Sequence, residues 1–134
     1  YFQQLLNGQH TMKMVAQDAG GKSSEYSLTF TKSVTACSIT MTEPMEADAQ
    51  ITIMAMSVTG DIPADANFQV LVTNNAKDTE PTWEDATSEV KNGANYLFEN
   101  QTATNGFAFN FKVIASRGSS GIGGYISSIQ GGFQ

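Results

Sequence analysis

The feature that most constrains the fold is a run of alternating apolar side chains in the last third of the chain. The run consists of Phe107, Phe109, Phe111, Val113 and Ala115. Side chains alternate across a strand with a period of two, so this pattern predicts a β-strand with three aromatic rings on one face. A slip of one residue would expose all three rings, and the register of this strand should therefore be firmly set.

Period-two alternation recurs along the rest of the chain, and no long segment has apolar residues at helical spacing. It predicts a β-hairpin over about residues 10–31, with Met12, Met14 and Ala16 on one strand and Tyr26, Leu28 and Phe30 on the other. Further strands are predicted at 34–41, 51–58, 68–72, 87–90, 96–98 and 125–133. The apolar parity changes between Ile53 and Met54, which indicates either a bulge or burial on both faces.

These strands predict an all-β chain with two parts. Residues 34–134 are expected to form an antiparallel β-sandwich of about seven strands, similar to an immunoglobulin domain, preceded by a β-hairpin within residues 1–33. A hairpin is too small to bury a core alone. It is therefore either the end of a truncated upstream module or part of the sandwich, and we favour the first. Tyr1–Gln3 resemble the tail of a protease tag and carry no weight here.

Composition narrows the classes of function. The net charge is −6, with 7 basic and 13 acidic residues, which argues against a nucleic-acid partner because phosphate contacts need clustered Lys or Arg. No run of 18 apolar residues is present, so we predict no membrane span. Charged residues make up 15% of the chain, against about 25% in ordinary soluble domains. A surface of Thr, Ser, Asn, Gln and Gly is typical of extracellular and virion β-proteins.

Few side chains are suited to catalysis. The chain has one histidine, His10, and one cysteine, Cys37. Cys37 lies in an alternating run and is predicted to be a small buried hydrophobe, while His10 is predicted to be structural or solvent-exposed. No nucleophile elbow, paired-cysteine motif or zinc-protease motif occurs. The sequence therefore predicts no enzyme, no cofactor and no zinc.

Acidic residues gather in the predicted loops, where oxygen ligands can bind calcium. The residues on which such a site would fall are Asp61, Asp65 and Asp78. The spaced acidic series of a calcium loop is absent, so ordinary solvated loops are the favoured interpretation and no metal is predicted.

Three aromatic residues, Trp83, Tyr96 and Tyr125, are candidates for ligand binding. In the structural interpretation Trp83 anchors a loop on the sandwich edge, and the two tyrosines are ordinary strand residues. In the functional interpretation they form platforms on which sugar rings stack. Asn100-Gln101-Thr102 also matches the N-glycosylation acceptor pattern, which matters only in a eukaryotic secretory setting.

A family resemblance covers most of the chain. The residues that carry it are Asp78, the run Pro81-Thr82-Trp83-Glu84-Asp85-Ala86-Thr87, then Val90, Gly93, Phe98-Glu99-Asn100, Arg117-Gly118 and the closing segment 125–133. This order is similar to C-terminal domains of tail-associated structural proteins in phages and prophages of Gram-positive and gut bacteria. Upstream, segments 6–11, 16–21 and 26–30 resemble the final strands of an immunoglobulin-like or fibronectin type III-like module.

The resemblance implies a non-catalytic structural or adhesion module of a phage or prophage tail protein. The implied partners are other virion tail subunits or a host-surface glycan or protein, and the implied location is the virion tail or the cell surface. It also implies a homo-oligomer, with a trimer as the expected form. Two alternatives stay open, namely a carbohydrate-binding β-sandwich and a bacterial cell-surface adhesin domain. The shared residues mark the scaffold, so the resemblance assigns no binding residues.

Overall fold

The computed structural model describes Leu5 and residues 8–134. Tyr1–Gln3 and the first two residues of segment 6–11 therefore lie outside the described residues. The chain forms two compact units, Tyr1–Val34 and Thr35–Gln134. Strands dominate both units and all named strands pair antiparallel. The expected all-β class is therefore confirmed.

The first unit contains a long two-stranded hairpin. Strand β1 (Gly8–Gln17) pairs with β2 (Ser23–Lys32) in continuous register. The turn between them is closed by Asp18, whose Oδ1 accepts the backbone N–H groups of Gly20 and Lys22, each at 2.9 Å. The hairpin is present as predicted, and its assignment to a truncated upstream module stays a prediction.

The second unit is a sandwich of two antiparallel sheets. Its elements are β3 (Ala36–Thr40), β4 (Met45–Glu46), β5 (Ile53–Asp61), β6 (Asn67–Thr73), β7 (Glu84–Asp85), α1 (Thr87–Asn92), β8 (Tyr96–Leu97), β9 (Ala108–Ser116) and β10 (Tyr125–Phe133). One sheet has the order β10-β5-β8, and the other has the order β3-β9-β6-β7 with β4 also paired to β9. The last two strands thus lie in different sheets, whereas in immunoglobulin domains they are neighbours.

The core between the sheets comes from the strands that alternation predicted. Met54 on β5, Val70 and Val72 on β6, and Val113 on β9 are almost fully buried. The ring of Phe109 on β9 packs 5.2 Å from the ring of Phe133 on β10, measured between centroids. A fully buried Val or Met contributes about 1.5–3 kcal/mol, so these facing positions supply much of the stability of the sandwich.

One predicted strand is wrong. Residues 87–90 belong to helix α1, which ends at Gly93 with φ 65°. This left-handed residue satisfies the last turn, because its N–H bonds to the carbonyl of Val90 and the next N–H, of Ala94, bonds to that of Glu89. Val90 was the only strong apolar signal in the segment, and one residue cannot separate a period of two from a period of 3.6.

The predicted burial of Cys37 is also wrong. Cys37 is exposed, as are the other residues of β3. Strand β3 lies at the edge of its sheet and pairs with β9 alone, so an apolar residue on it is covered less than one on a central strand. The parity change near Ile53 has a different origin: Ile51 is buried before the strand begins, and the inward set then continues with Met54 and Met56.

Candidate functional site

Glu84 on β7 lies at the centre of a hydrogen-bonded group that joins the two sheets. Its carboxylate accepts the hydroxyl of Tyr96 at 2.8 Å and the backbone N–H groups of Glu99 and Asn100 at 2.8 and 2.9 Å. Strands β7 and β8 belong to different sheets, so these bonds connect one sheet to the other. We call these four residues the Glu84 cluster. Burial raises the pKa of Tyr96, and the bond to Glu84 raises it further. The hydroxyl therefore stays protonated and donates the hydrogen bond to Glu84.

Asn74 extends this group into the interior. Its side chain is fully buried, and its Nδ2 donates to the carbonyls of Ile51 at 2.9 Å and Asn100 at 2.8 Å. Its Oδ1 accepts the Nδ2 of Asn100 at 2.7 Å. A buried polar group without partners would cost about 1–3 kcal/mol, and these three bonds remove that cost.

The same bonds bear on the glycosylation pattern at Asn100. Its Nδ2 donates to Asn74 and, at 2.8 Å, to the carbonyl of Thr102. A glycan attached to this nitrogen would break at least one of the two bonds. The acceptor pattern is therefore part of the packing at this end of the sandwich.

Asp78 closes a neighbouring turn. Its carboxylate accepts the backbone N–H groups of Thr104 at 2.9 Å and Asn105 at 2.7 Å, together with Nδ2 of Asn75 at 3.0 Å. The two backbone hydrogen bonds lower the pKa of Asp78, and the bond from Asn75 lowers it further. The carboxylate of this candidate calcium ligand is thus already occupied by hydrogen bonds from N–H groups of the protein.

Asp61 and Asp65 lie at the opposite end of the sandwich, at and after the end of β5. The carboxylate of Asp65 accepts the N–H of Ser120 at 2.7 Å and its hydroxyl at 3.0 Å, and these bonds lower the pKa of Asp65. Gly118 is required beside it, because a Cβ there would lie 2.0 Å from the Asp65 carbonyl oxygen. Over Leu5 and residues 8–134, no three acidic, His or Cys side chains are grouped to hold a metal ion.

Trp83 contacts Lys112 on β9, whose neighbours Phe111 and Val113 pack against the core, so its ring lies on the outer face of the larger sheet. The Nζ of Lys112 lies 3.9 Å from the centroid of its ring, which is a close cation–π contact. The ring is half-buried, so this contact covers part of the surface that a sugar would need. The placement fits the loop-anchor interpretation.

The structure does not bring the three candidate aromatic residues together. Tyr96 on β8 lies opposite Met54 on β5, and Tyr125 on β10 lies opposite Asp61 on β5. Seven residues of strand span about 23 Å, so the two tyrosines cannot contact one small ligand. Tyr125 is 65% exposed, whereas the hydroxyl of Tyr96 is bonded to Glu84.

A cleft of about 310 Å³ opens at the end of the sandwich that holds Asp65. It is lined by Val58, Ile62, Pro63, Ala64, Ala66, Phe68, Val90 and Lys91. The Nζ of Lys91 lies 5.6 Å from the centroid of the Phe68 ring. Sequence reasoning missed this cleft because α1, which forms one wall, was predicted as a strand. The volume is at the lower limit of ligand pockets.

Comparisons with known proteins found no match to this chain among protein-family models, curated proteins or solved structures. In the part of the chain that the structure describes, no helix is long and apolar enough to cross a membrane.

Proposed function

We propose that this chain is a non-catalytic structural or adhesion module of a phage or prophage tail protein. The observation that carries the proposal is the engagement of three acidic residues, of which Glu84 and Asp78 belong to the motif. Glu84, Asp78 and Asp65 each use their carboxylates to hold backbone N–H groups of distant loops.

A carboxylate used in this way is poorly suited to proton transfer. A general acid or base must reach the substrate, and its pKa must lie near the working pH. The pKa values of Asp65 and Asp78 are lowered by bonds from the protein itself, which moves them away from that range. This arrangement is better suited to a rigid structural module, whose loops are held in place, than to a catalytic one.

The proposal of a tail protein rests on the order of the motif residues along the chain. The contacts between these residues support it, because they show what the residues do in the fold. Glu84 binds the segment that contains Phe98 and Asn100, and Phe98 packs in the core. Arg117 donates to the carbonyl of Gly121 at 3.2 Å and so shapes the glycine-rich segment 118–124 between β9 and β10. Motif residues that stabilise one another are what a structural module of an assembly needs. The expected partners are neighbouring tail subunits or a host-surface glycan or protein.

The test is to locate the protein in its source bacterium after prophage induction. Particles are purified on a density gradient and labelled with gold-conjugated antibody to the sandwich. The proposal predicts that the chain sediments with particles and that gold lies on their tails. Gold on the surface of uninduced cells, with none on particles, would overturn the proposal and favour the adhesin alternative.

A glycan array with purified protein distinguishes the carbohydrate-binding alternative. Saturable binding to one glycan class, lost in Trp83→Ala and kept in Tyr125→Ala, would support a sugar platform at Trp83. Tyr125→Ala is the matched control because it also removes an aromatic ring, one that is exposed. Tyr125 pairs with Asp61 on β5, seven residues along that strand from Met54, the partner of Tyr96.

A further inference from the structure

Strand β10 forms an edge of the smaller sheet, and it is unusually suited to pairing with another strand. It has nine residues, and among the described strands it pairs with β5 alone. The other edges of the sandwich are shorter, since β7 and β8 have two residues each and β3 has five. Proteins usually protect long edges with charges or proline, and β10 contains neither.

The hydrogen-bond pattern shows which backbone groups face outward. Gln134 and Ile53 exchange both backbone bonds at 3.0 Å, so they form a hydrogen-bonded pair. Such pairs alternate along an antiparallel ladder. With Phe133 opposite Met54 in the register, the N–H and C=O groups of Phe133, Gly131 and Ile129 therefore point away from β5.

The side chains along this edge leave room for a second strand. Ile129 and Phe133 pack against the core, so Gln130 and Gly132 lie on the opposite face. A Cβ at Gly132 would have no neighbour within 4 Å. After the register shift between Ile126 and Ser128, the ladder with β5 runs without interruption over residues 128–133.

From these observations we propose that β10 is an interface between two copies of this chain, paired antiparallel about a two-fold axis at Gly131. In that register Gly131 faces its own equivalent, and Ile129 of one copy faces Phe133 of the other. About six backbone hydrogen bonds form, two for each of the three pairs. The three-stranded sheets of the two copies then join into one continuous sheet.

The occupant is a second copy because the edge is neutral on a chain whose net charge is −6. Two acidic copies approach at this edge without placing like charges opposite each other. The pairing also places Ile129 beside Phe133 on the core side, which extends the apolar layer across the junction. The register centred on Gly131 keeps the irregular part of β10 outside the ladder.

The first experiment compares two double variants by sedimentation velocity on the full chain. In the proposed register, residue 130 of one copy faces residue 132 of the other. Gln130→Lys with Gly132→Lys places like charges opposite each other, whereas Gln130→Lys with Gly132→Glu places opposite charges there. We expect a reversible dimer for the unmodified chain, weakening in the Lys/Lys variant and recovery in the Lys/Glu variant. The dissociation constants of the two variants should differ about tenfold or more.

The protein concentration in the sedimentation runs extends to about 1 mM, which is the effective concentration of two copies joined by a short flexible linker. A chain that stays monomeric throughout, forms a trimer, or dimerises equally in both variants would overturn the proposal. Circular dichroism melts show that each variant is folded before it is compared. A dimer that persists in the Lys/Lys variant would place the contact elsewhere, including on the hairpin.

A second experiment is independent of affinity. Gln130→Cys with Gly132→Cys, in a Cys37→Ser background, should form interchain disulfides under mild oxidation, seen as a dimer on non-reducing gels. The matched control is Ser57→Cys with Thr59→Cys on β5, whose spacing is the same but whose strand is covered by β10. Equal cross-linking of the two pairs would contradict the two-fold register.

Discussion

Buried amides and engaged carboxylates fix the loops at the end of the sandwich where β6 leaves its sheet. Asn74 and Asn75 are 0% and 4% exposed, and both are fully committed to hydrogen bonds within this region. Such groups contribute little when paired and cost much when one partner is lost. Stability should therefore be more sensitive to these polar residues than their surface-loop sequence suggests.

The clearest residue-scale prediction concerns Asn74. Asn74→Ala should lower the free energy of unfolding by about 2–3 kcal/mol, because it leaves the partners of one buried and two partly buried hydrogen bonds unsatisfied. Urea denaturation measures this. Asn67→Ala is the control: Asn67 is exposed and makes one bond of 3.3 Å to Ser116, so its loss should be within about 0.5 kcal/mol. Equal losses in the two variants would refute the buried role of Asn74.

Gly93 gives a second prediction, about how the helix ends. Its φ of 65° is a conformation that side chains with a Cβ adopt at a cost, so Gly93→Ala should lower stability by about 1 kcal/mol. Gly132→Ala is the control, since its φ is not positive and its Cβ would meet no atom. A thermal melt in which both alanine variants match the unmodified chain would argue against the left-handed cap.

At the scale of elements, the sequence predicted the strands with one-sided or two-sided apolar alternation, and the closing strand 125–133 matches β10 to the residue. Burial of every second side chain is a strong local signal, so β6 and β9 were also found. Helix α1 was missed because six residues with one buried side chain carry almost no periodicity. The short β4 was missed for a similar reason, since it has two residues and they pair with β9 alone.

The candidate site was less accessible to sequence reasoning than the strands. The motif around Trp83 and Glu84 was recognised, and Asp78 was singled out, but their partners were not. Glu84 bonds to residues 12 to 16 positions away and Asp78 to residues up to 27 positions away, through folds of the chain that no local pattern encodes. The packing of the two sheets brings Glu84 to its partners on and after β8, and the pairing of β6 with β9 brings Asp78 to Thr104 and Asn105.

The loops held by Asp65 and Asp78 should loosen in acid. Their folded-state pKa values lie below the ordinary 3.8, so the ionised form is favoured in the fold. Their contribution to stability is complete above the unfolded-state pKa and is lost as pH falls through 3.8 and below. Unfolding midpoints measured from pH 6 to pH 2 should fall over that range.

Asp78→Asn tests the assignment. The variant should be less stable than the unmodified chain near neutral pH, and its acid-induced decline should be shallower. Amide resonances of Thr104 and Asn105 report the local event in the unmodified chain. Parallel pH profiles for the two proteins would show that Asp78 does not contribute to the acid response.

At the scale of the whole molecule, the hairpin and the sandwich are separate compact units, and the apolar core lies within the second. Residues 35–134 alone should therefore fold cooperatively with the unfolding midpoint of the sandwich in the full chain. Residues 1–34 alone should show no cooperative transition, because two strands are marginal in water. Differential scanning calorimetry of the three proteins decides this, and loss of folding in residues 35–134 would contradict it.

The central claim is that the motif residues build a rigid module, and Glu84 is where that claim is most exposed to test. The decisive measurement is the free energy of unfolding of Glu84→Ala in urea, with Glu80→Ala as a control in the same acidic segment. We predict a loss of about 2–3 kcal/mol for Glu84→Ala, because one carboxylate holds three donors from the other sheet's segment. Glu80 is exposed, and its removal should change stability by less than about 0.5 kcal/mol. If Glu84→Ala unfolds at the same urea concentration as the unmodified chain, the structural role assigned to the motif is wrong.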